Sequence, residues 1–271
     1  MDLITLYSFN ESCRSKSPFS GLSVDLYHTL YTFVIAKIKV ALMSLGNIEF
    51  TTAFSVDNVI FGFDDADLKI LLIKRAEEPF ANHWALPGAL VYHDENLRDA
   101  PMRVLKELTG LNNVFLEQVK TFGKVNRHPS GRVITIAYYS LINIHKVAPQ
   151  AMSFAEEVSW IKIKDVDTLA FDHKEILEYS LDKLRRDVKL RPIGFELLPD
   201  TFTLSQLQSL YEAVLDKELD KRNFRKKILS MKLLLDVKEY QQGVAHRPAK
   251  LFSFDPERYL TLKSEGFNFE I

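Results

Sequence analysis

From Ser55 onward short apolar runs rich in β-formers alternate with charged turns. Val56 to Phe63 and Leu68 to Lys74 (LKILLIK) flank the polar stretch FDDAD, which predicts two antiparallel strands joined by a turn. The breaker-rich HWALPGALVYHDEN that follows predicts irregular backbone. Leu97, Val104, Leu108 and Leu111 then recur at helical spacing and predict a helix over Leu97–Thr109, with Asn96 as N-cap and Gly110 just past its end. Pro101 removes a backbone donor early in that helix and predicts a frayed or bent first turn. Val114–Val125 and Arg132–Ile144 (RVITIAYYSLINI) read as strands around the turn HPSG, and Glu157–Ile163 as a further strand around Trp160. Asp172–Val188 reads as a charged amphipathic helix with Asp172 as its cap.

Strands, one marked helix, more strands and a second helix predict an α/β/α sandwich rather than a repeated βαβ array. The Pro-punctuated RPIGFELLPD (191–200) marks a boundary. Beyond it, FTLSQLQSLYEAVLDKELDKRNFRKKILSM (202–231) reads as two helices, the first capped by Thr203 and the second by Asp220. Leu204, Leu207, Leu210, Tyr211 and Val214 form the apolar face of the first helix. Phe224, Ile228, Leu229 and Met231 form that of the second. LLLDVKEY and AKLFSF, bridged by QQGVAHRP, predict a β-hairpin wing with His246 and Arg247 near its tip or base. The expected organisation is an extension over 1–50, an α/β domain over 51–190, a connector over 191–200, a winged helix-turn-helix over 201–262 and a tail over 263–271.

Length and composition suit this partition: 271 residues are enough for two domains, each able to bury its own core. The lone Cys13 excludes a disulfide framework and a cysteine-based zinc site, and it suits a reducing cytoplasm. Lys37 and Lys39 interrupt the apolar run Leu30–Met43, leaving it short of a membrane span. With no basic region before it and no small-residue cleavage site after it, a signal peptide is not expected. Three readings of the extension stay open: a helix packed on the body, a partner-binding helix, or translated sequence upstream of a start at Met43. The net charge of −1 excludes no nucleic-acid role, because a local basic patch is sufficient.

Such a patch opens the second helix of the carboxy-terminal domain. Lys221, Arg222, Arg225, Lys226 and Lys227 crowd its start and can contact phosphates. Arg222 and Asn223 can make bidentate hydrogen bonds to base edges, and Arg247 would add a contact from the wing. The alternative, a merely solvated charged face, fits less well with a helix-turn-helix followed by a hairpin.

LPGALVYHDENLRDAPMRVLKELTGL (86–111) resembles the signature of the Nudix family, with Ala89 in the glycine position, Glu95 at the first glutamate, and Arg103, Leu105, Glu107 and Gly110-Leu111 in register. The family's helix presents carboxylates at i, i+3 and i+4, on one face, where they hold Mg²⁺. Here those positions are Val104, Glu107 and Leu108, so two of the three charges are gone. No bound metal or other cofactor is expected, and no catalytic residue is assigned. Glu156 or Glu157 stands as a weaker candidate for a replacement ligand. The plain reading of Glu95, Arg103 and Glu107 is a set of ion pairs bracing loop against helix.

Taken with RVITIAYYSL, LAFDHKEIL, RPIGFELLP and the winged-helix run, the degenerate box resembles the Nudix-related transcriptional regulators of the NrtR and AraR type, over roughly residues 55–260. The resemblance implies a homodimer gripping a palindromic DNA operator while its Nudix-like domains bind a small effector. That effector is an ADP-ribose-type nucleotide in one branch and a sugar such as L-arabinose in the other. The loss at Val104 and Leu108 and the wording of the strands lean toward the sugar branch. Candidate effector contacts are Lys74, Arg75, Glu78, Trp84, Arg127 and Arg132, each equally suited to salt bridging or loop packing. The competing readings are a Nudix hydrolase acting on ADP-ribose or a related nucleoside diphosphate derivative, and a non-catalytic module binding RNA or protein.

Overall fold

In chain order the elements are β1 (Ala53–Phe63), β2 (Leu68–Arg75), β3 (Trp84–Ala85), β4 (Gly88–Leu90), α1 (Ala100–Thr109), β5 (Glu117–Phe122), β6 (Val133–Asn143), β7 (Ala155–Lys162), α2 (His173–Leu190), a 3-10 turn at Pro192–Leu197, α3 (Leu204–Leu215), α4 (Lys221–Ser230), β8 (Leu234–Tyr240), β9 (Lys250–Phe254) and α5 (Pro256–Ser264). This computed structural model describes residues 52–111, 114–153, 155–243 and 247–271. The extension over 1–50, with all three readings of it, lies outside the described residues, and so does His246.

β1 is buried from Ser55 to its end and sets the geometry of the larger sheet. Its strands lie in the order β3-β2-β1-β6-β5, with β4 added on β1 and β7 on β2. β1 and β2 pair antiparallel, as the FDDAD turn implied, whereas β1 and β6 run parallel with Asp57 opposite Ala137. Side chains alternate across a strand, so β1 feeds two cores. Val59, Phe61 and Phe63 join Ile176, Leu177, Leu184 and Val188 of α2 on one face. On the other, Val56 packs with Val104 and Leu108 of α1, and Ile60 with Leu105. The result is the expected α/β/α sandwich.

Several local expectations shift. α1 begins at Ala100 rather than Leu97, because Pro101 cannot donate to a preceding turn and instead occupies the first helical turn, where its missing N–H costs nothing. Asn96 therefore does not cap the helix; its amide reaches Asp99 at 3.1 Å, while Gly110 closes the end at φ 72°. The segment expected to be irregular contributes β3 and β4, and the strand expected over Val114–Val125 is confined to β5. Asp172 sits at the N-cap of α2 with no cap bond from its side chain, since an arginine engages the carboxylate.

The winged helix grows from the same core as the sandwich. Phe202, Leu207, Leu210, Tyr211, Phe224 and Ile228 belong to one apolar cluster with Phe61 and Leu184. Within 191–200, Leu197 and Leu198 are buried in that cluster rather than solvated. Polar links reinforce the junction: Arg185 of α2 donates to the Val214 carbonyl at 3.0 Å, and Gln206 of α3 donates to Asp65 at 3.1 Å. Thr203 and Gln206 form a full capping box at the start of α3. Phe202 forms an isolated antiparallel bridge with Phe252 of β9, which ties the start of α3 to the β8–β9 hairpin. In the tail, Phe269 is buried and the Ile271 N–H donates to the Lys189 carbonyl at 3.0 Å, tying the chain end to α2.

Candidate effector cleft and nucleic-acid interface

The degenerate box folds as apolar core plus a salt-bridge brace. Val104 and Leu108 are 0% and 1% exposed and pack with Val56, Ile73 and Ala85. A carboxylate at either place would be stranded in a dry environment. Glu107, on the exposed side, accepts from Arg103 at 2.9 Å. Arg103 also grips Glu95 through two bonds of 2.6 and 2.8 Å, donates to the Leu90 carbonyl and lies 3.9 Å above the Tyr92 ring. The paired guanidinium holds the Glu95 carboxyl below its usual range. Every retained polar group of the box is thus engaged with another residue of the box or its loop. Glu156 and Glu157, the replacement ligands considered, are both exposed, and Glu156 lies 3.7 Å from Lys74. Among the described residues no group of three His, Cys, Asp or Glu is placed to hold a metal ion.

A polar cleft opens on the α2 side of the sheet. Asp57, 5% exposed, lies on the same face of the central strand β1 as Val59 and Phe61, and its carboxylate lies 3.4 Å from His173 at the start of α2. Arg127 forks onto Asp172 at 2.9 and 2.6 Å and reaches Asp57 at 3.4 Å. Thr135 donates to Asp57 at 2.7 Å from the neighbouring parallel strand. Gly88 faces Asp57 so closely that a Cβ there would fall 2.0 Å from its oxygen, so only glycine fits. Around this floor lies a cavity of about 210 Å³ lined by Asp57, Arg75, Arg127, His128, Phe171 and His173 among others. A second, of about 450 Å³, shares Arg127 and Phe171 and adds Lys124, Asn126 and Glu175.

Of the six effector candidates, the fold brings Arg75 and Arg127 to the cleft. Lys74 lies beside Glu156, Glu78 is exposed on the loop after β2, and Arg132 donates to the Gly123 carbonyl at 2.7 Å. Trp84 packs against the main core, and its carbonyl accepts from Ala170 at 2.8 Å. Sequence reasoning missed Asp57, His128, Phe171 and His173 as lining groups. The one available signal was FDH at the head of a predicted helix, an aromatic followed by two residues able to carry charge.

His173 is held neutral. The Leu86 N–H donates to its Nδ1 at 2.9 Å, which leaves the ring proton on Nε2, facing Asp57 at 3.4 Å. Burial lowers its pKa from the ordinary 6.5, and the cations Arg127 and Arg75 work in the same direction against the raising effect of Asp57 and Asp172. As pH falls below 6.5 the unfolded chain takes up a proton that the folded chain still refuses. Stability therefore falls with pH below that value, by at most about 1.4 kcal/mol per pH unit for this group. Thermal unfolding between pH 7.5 and 5.5 should show the loss, with a shallower slope in His173→Gln; equal slopes would contradict it.

The nucleic-acid candidates divide. Lys221, Arg222, Asn223, Lys226 and Lys227 are all exposed on α4, and Phe224 and Ile228 anchor its opposite face. Arg225, expected among the contacts, turns back to donate to Ser205 of α3 at 2.9 Å and holds the two helices together. Leu229, expected in the core, is 46% exposed, because Phe224 and Ile228 already fill the contact with α3. Arg247 is exposed in the segment joining β8 to β9. Asp220 caps α4 by accepting from Asn223 at 2.8 Å. Placing Lys221 and Arg222 in a first turn opposes the helix dipole, a local cost that an external anion would offset.

Two family models match the chain: the NUDIX domain over residues 52–180 and the NrtR DNA-binding winged helix domain over 194–254. The chain is 34% identical to the "ADPR responsive transcriptional repressor NtrR" of Acinetobacter baylyi, over 79% of this chain and 84% of that protein. It belongs to the NrtR-type Nudix-related transcriptional regulators. The crystal structure of Shewanella oneidensis NrtR complexed with a 27mer DNA superposes with a TM-score of 0.65 at 28% identity, covering 80% of this chain and 97% of that one. An ADP-ribose pyrophosphatase of Methanocaldococcus jannaschii is 33% identical over 46% of this chain and 71% of its own length. In NrtR terms the cleft lies wholly in the NUDIX part, while α3, α4 and the hairpin make up the winged helix. Among the described residues no helix is long and apolar enough to cross a membrane.

Proposed function

We propose that this chain is a cytoplasmic, homodimeric transcriptional repressor that binds operator DNA through α4 and releases it when an ADP-ribose-type nucleotide fills the cleft, without hydrolysing that nucleotide. The observation that carries this reading is the exposed cationic face of α4, built on the same apolar core that supports the cleft. The likeness to a repressor described as ADPR responsive, and to an NrtR that binds a 27mer DNA, supports both ligands. The sugar effector favoured by the box sequence gives way to the nucleotide on the same ground. Arg75 in the cleft lining also supports a diphosphate over a neutral sugar, because a guanidinium contact favours an anion. The buried Val104 and Leu108 support loss of hydrolysis, since a single carboxylate cannot balance a divalent ion on pyrophosphate.

α2 supplies the connection. Asp172 and His173 at its start face the cleft, while Leu184 and Val188 share the core of the winged helix and Arg185 bonds α3. A ligand that competes for Arg127 would shift the α2 start and, through a stiff helix, the spacing of paired α4 helices. Release requires only that the ligand prefer one of the two dimer geometries.

The test selects bound fragments from the source genome and measures their affinity by fluorescence anisotropy. ADP-ribose should weaken binding by about 5- to 150-fold, the usual span of such coupling, and L-arabinose should have no effect. Release by L-arabinose would return the sugar reading. Magnesium-dependent cleavage of ADP-ribose with no selective DNA binding would favour the hydrolase.

A further inference from the structure

Phe171 is held in an unusual way. Its backbone lies at φ 53°, the left-handed region where a bulky side chain is strained and glycine is at ease. The residue is nevertheless a large aromatic, half-buried at the saddle shared by the two cavities. Its position is fixed on several sides. The Phe80 ring packs against it at a steep angle with centroids 4.7 Å apart, and the His173 ring centre lies 5.1 Å away. The preceding residue, Ala170, donates to the Trp84 carbonyl and accepts from the His173 N–H.

Two other groups complete the arrangement. The Arg75 guanidinium lies 5.1 Å from the Phe171 ring centre, and the His128 imidazole stacks on that ring at 4.9 Å with only 12° between the planes. Phe171 is braced by core elements, whereas His128 rides on the turn between β5 and β6, where the Ser130 N–H meets its Nδ1 at 3.2 Å. Burial together with Arg127 and Arg75 disfavours its charged form, so the imidazole stacks as a neutral flat ring. A flat aromatic ring on a polar cleft floor offers the interaction that any nucleobase can accept.

We propose that Phe171 is the specificity-determining residue of the cleft: the ligand's purine displaces His128 and stacks on the Phe171 ring beside Arg75, so that the cleft selects ligands carrying a base over those with sugar and phosphate alone. The proposal rests on the effector reading above and names the part of the ligand on which recognition turns.

Calorimetric titration of the full chain with ADP-ribose, ADP and ribose 5-phosphate tests it. The unaltered protein should bind ADP-ribose and ADP at least about tenfold more tightly than ribose 5-phosphate. Phe171→Leu, which keeps apolar bulk without an aromatic face, should lose about tenfold or more toward both nucleotides. His128→Ala removes the competing ring and should bind them as well as or better than the unaltered chain. If Phe171→Leu is poorly folded, Phe171→Gly relieves the backbone strain while removing the ring and should show the same loss. Nucleotide binding unchanged by Phe171→Leu and Phe171→Gly would make the ring a packing residue and overturn this proposal alone. Failure of the unaltered chain to bind either nucleotide would overturn the effector reading and this proposal together.

Discussion

Replacing Arg222 and Lys226 together by Ala is expected to weaken binding to duplex operator about 10- to 100-fold while leaving the protein folded. Both side chains are exposed on α4 and neither takes part in the packing of Phe224 and Ile228. Stability should therefore change by no more than about 0.5 kcal/mol. The two losses should also differ in kind. If Lys226 meets a phosphate, its removal weakens all sequences alike and lowers the salt dependence by about one unit. If Arg222 reads a base edge, its removal relaxes preference at one operator position. Arg225 is the internal control: Arg225→Ala breaks the bond to Ser205 and should lower stability through the α3–α4 contact. Anisotropy at several salt concentrations beside urea unfolding separates these outcomes, and unchanged DNA affinity in the double variant would remove α4 from the interface.

The second large effect concerns the ion cluster beneath the cleft. Arg127→Met should destabilise the fold by about 3–5 kcal/mol, the usual cost of leaving buried charge without its partner. The arginine side chain is 3% exposed, Asp57 7% and Asp172 13%, so water compensates only in part for the lost guanidinium. Thr135 remains hydrogen-bonded to Asp57 and His173 remains 3.4 Å from it, but neither is a counter-charge. Combining Arg127→Met with Asp57→Asn and Asp172→Asn removes all three charges and should return most of the lost stability. Urea midpoints for the single and triple variants decide this. A triple variant no more stable than the single one would mean that the cluster acts through shape rather than charge.

Much of this architecture could be read from local sequence. Apolar runs rich in β-formers located the main strands, and the box spacing identified the fold even with its metal-binding positions replaced. Thr203 and Asp220 marked the winged-helix starts because capping is a short-range hydrogen-bonding pattern. The cleft was harder to find for the same reason in reverse. Asp57, Arg127 and Asp172 lie far apart in sequence, and their meeting depends on the parallel pairing of β1 with β6, which leaves no local periodicity. The turning of Arg225 toward Ser205 was hidden likewise, because a run of basic residues does not reveal which of them faces inward. The left-handed backbone of Phe171 has no signature either, since the residue that would announce it is glycine.

Nucleotide in the cleft and DNA on α4 are expected to oppose each other through one shared core. The most direct test is reciprocal: the affinity for ADP-ribose measured with and without saturating operator DNA, and the affinity for operator measured with and without saturating ADP-ribose. Linkage requires the same factor from both directions, and a weakening of at least about fivefold is expected in each. Two ligands that bind independently, each with an affinity untouched by the other, would contradict it.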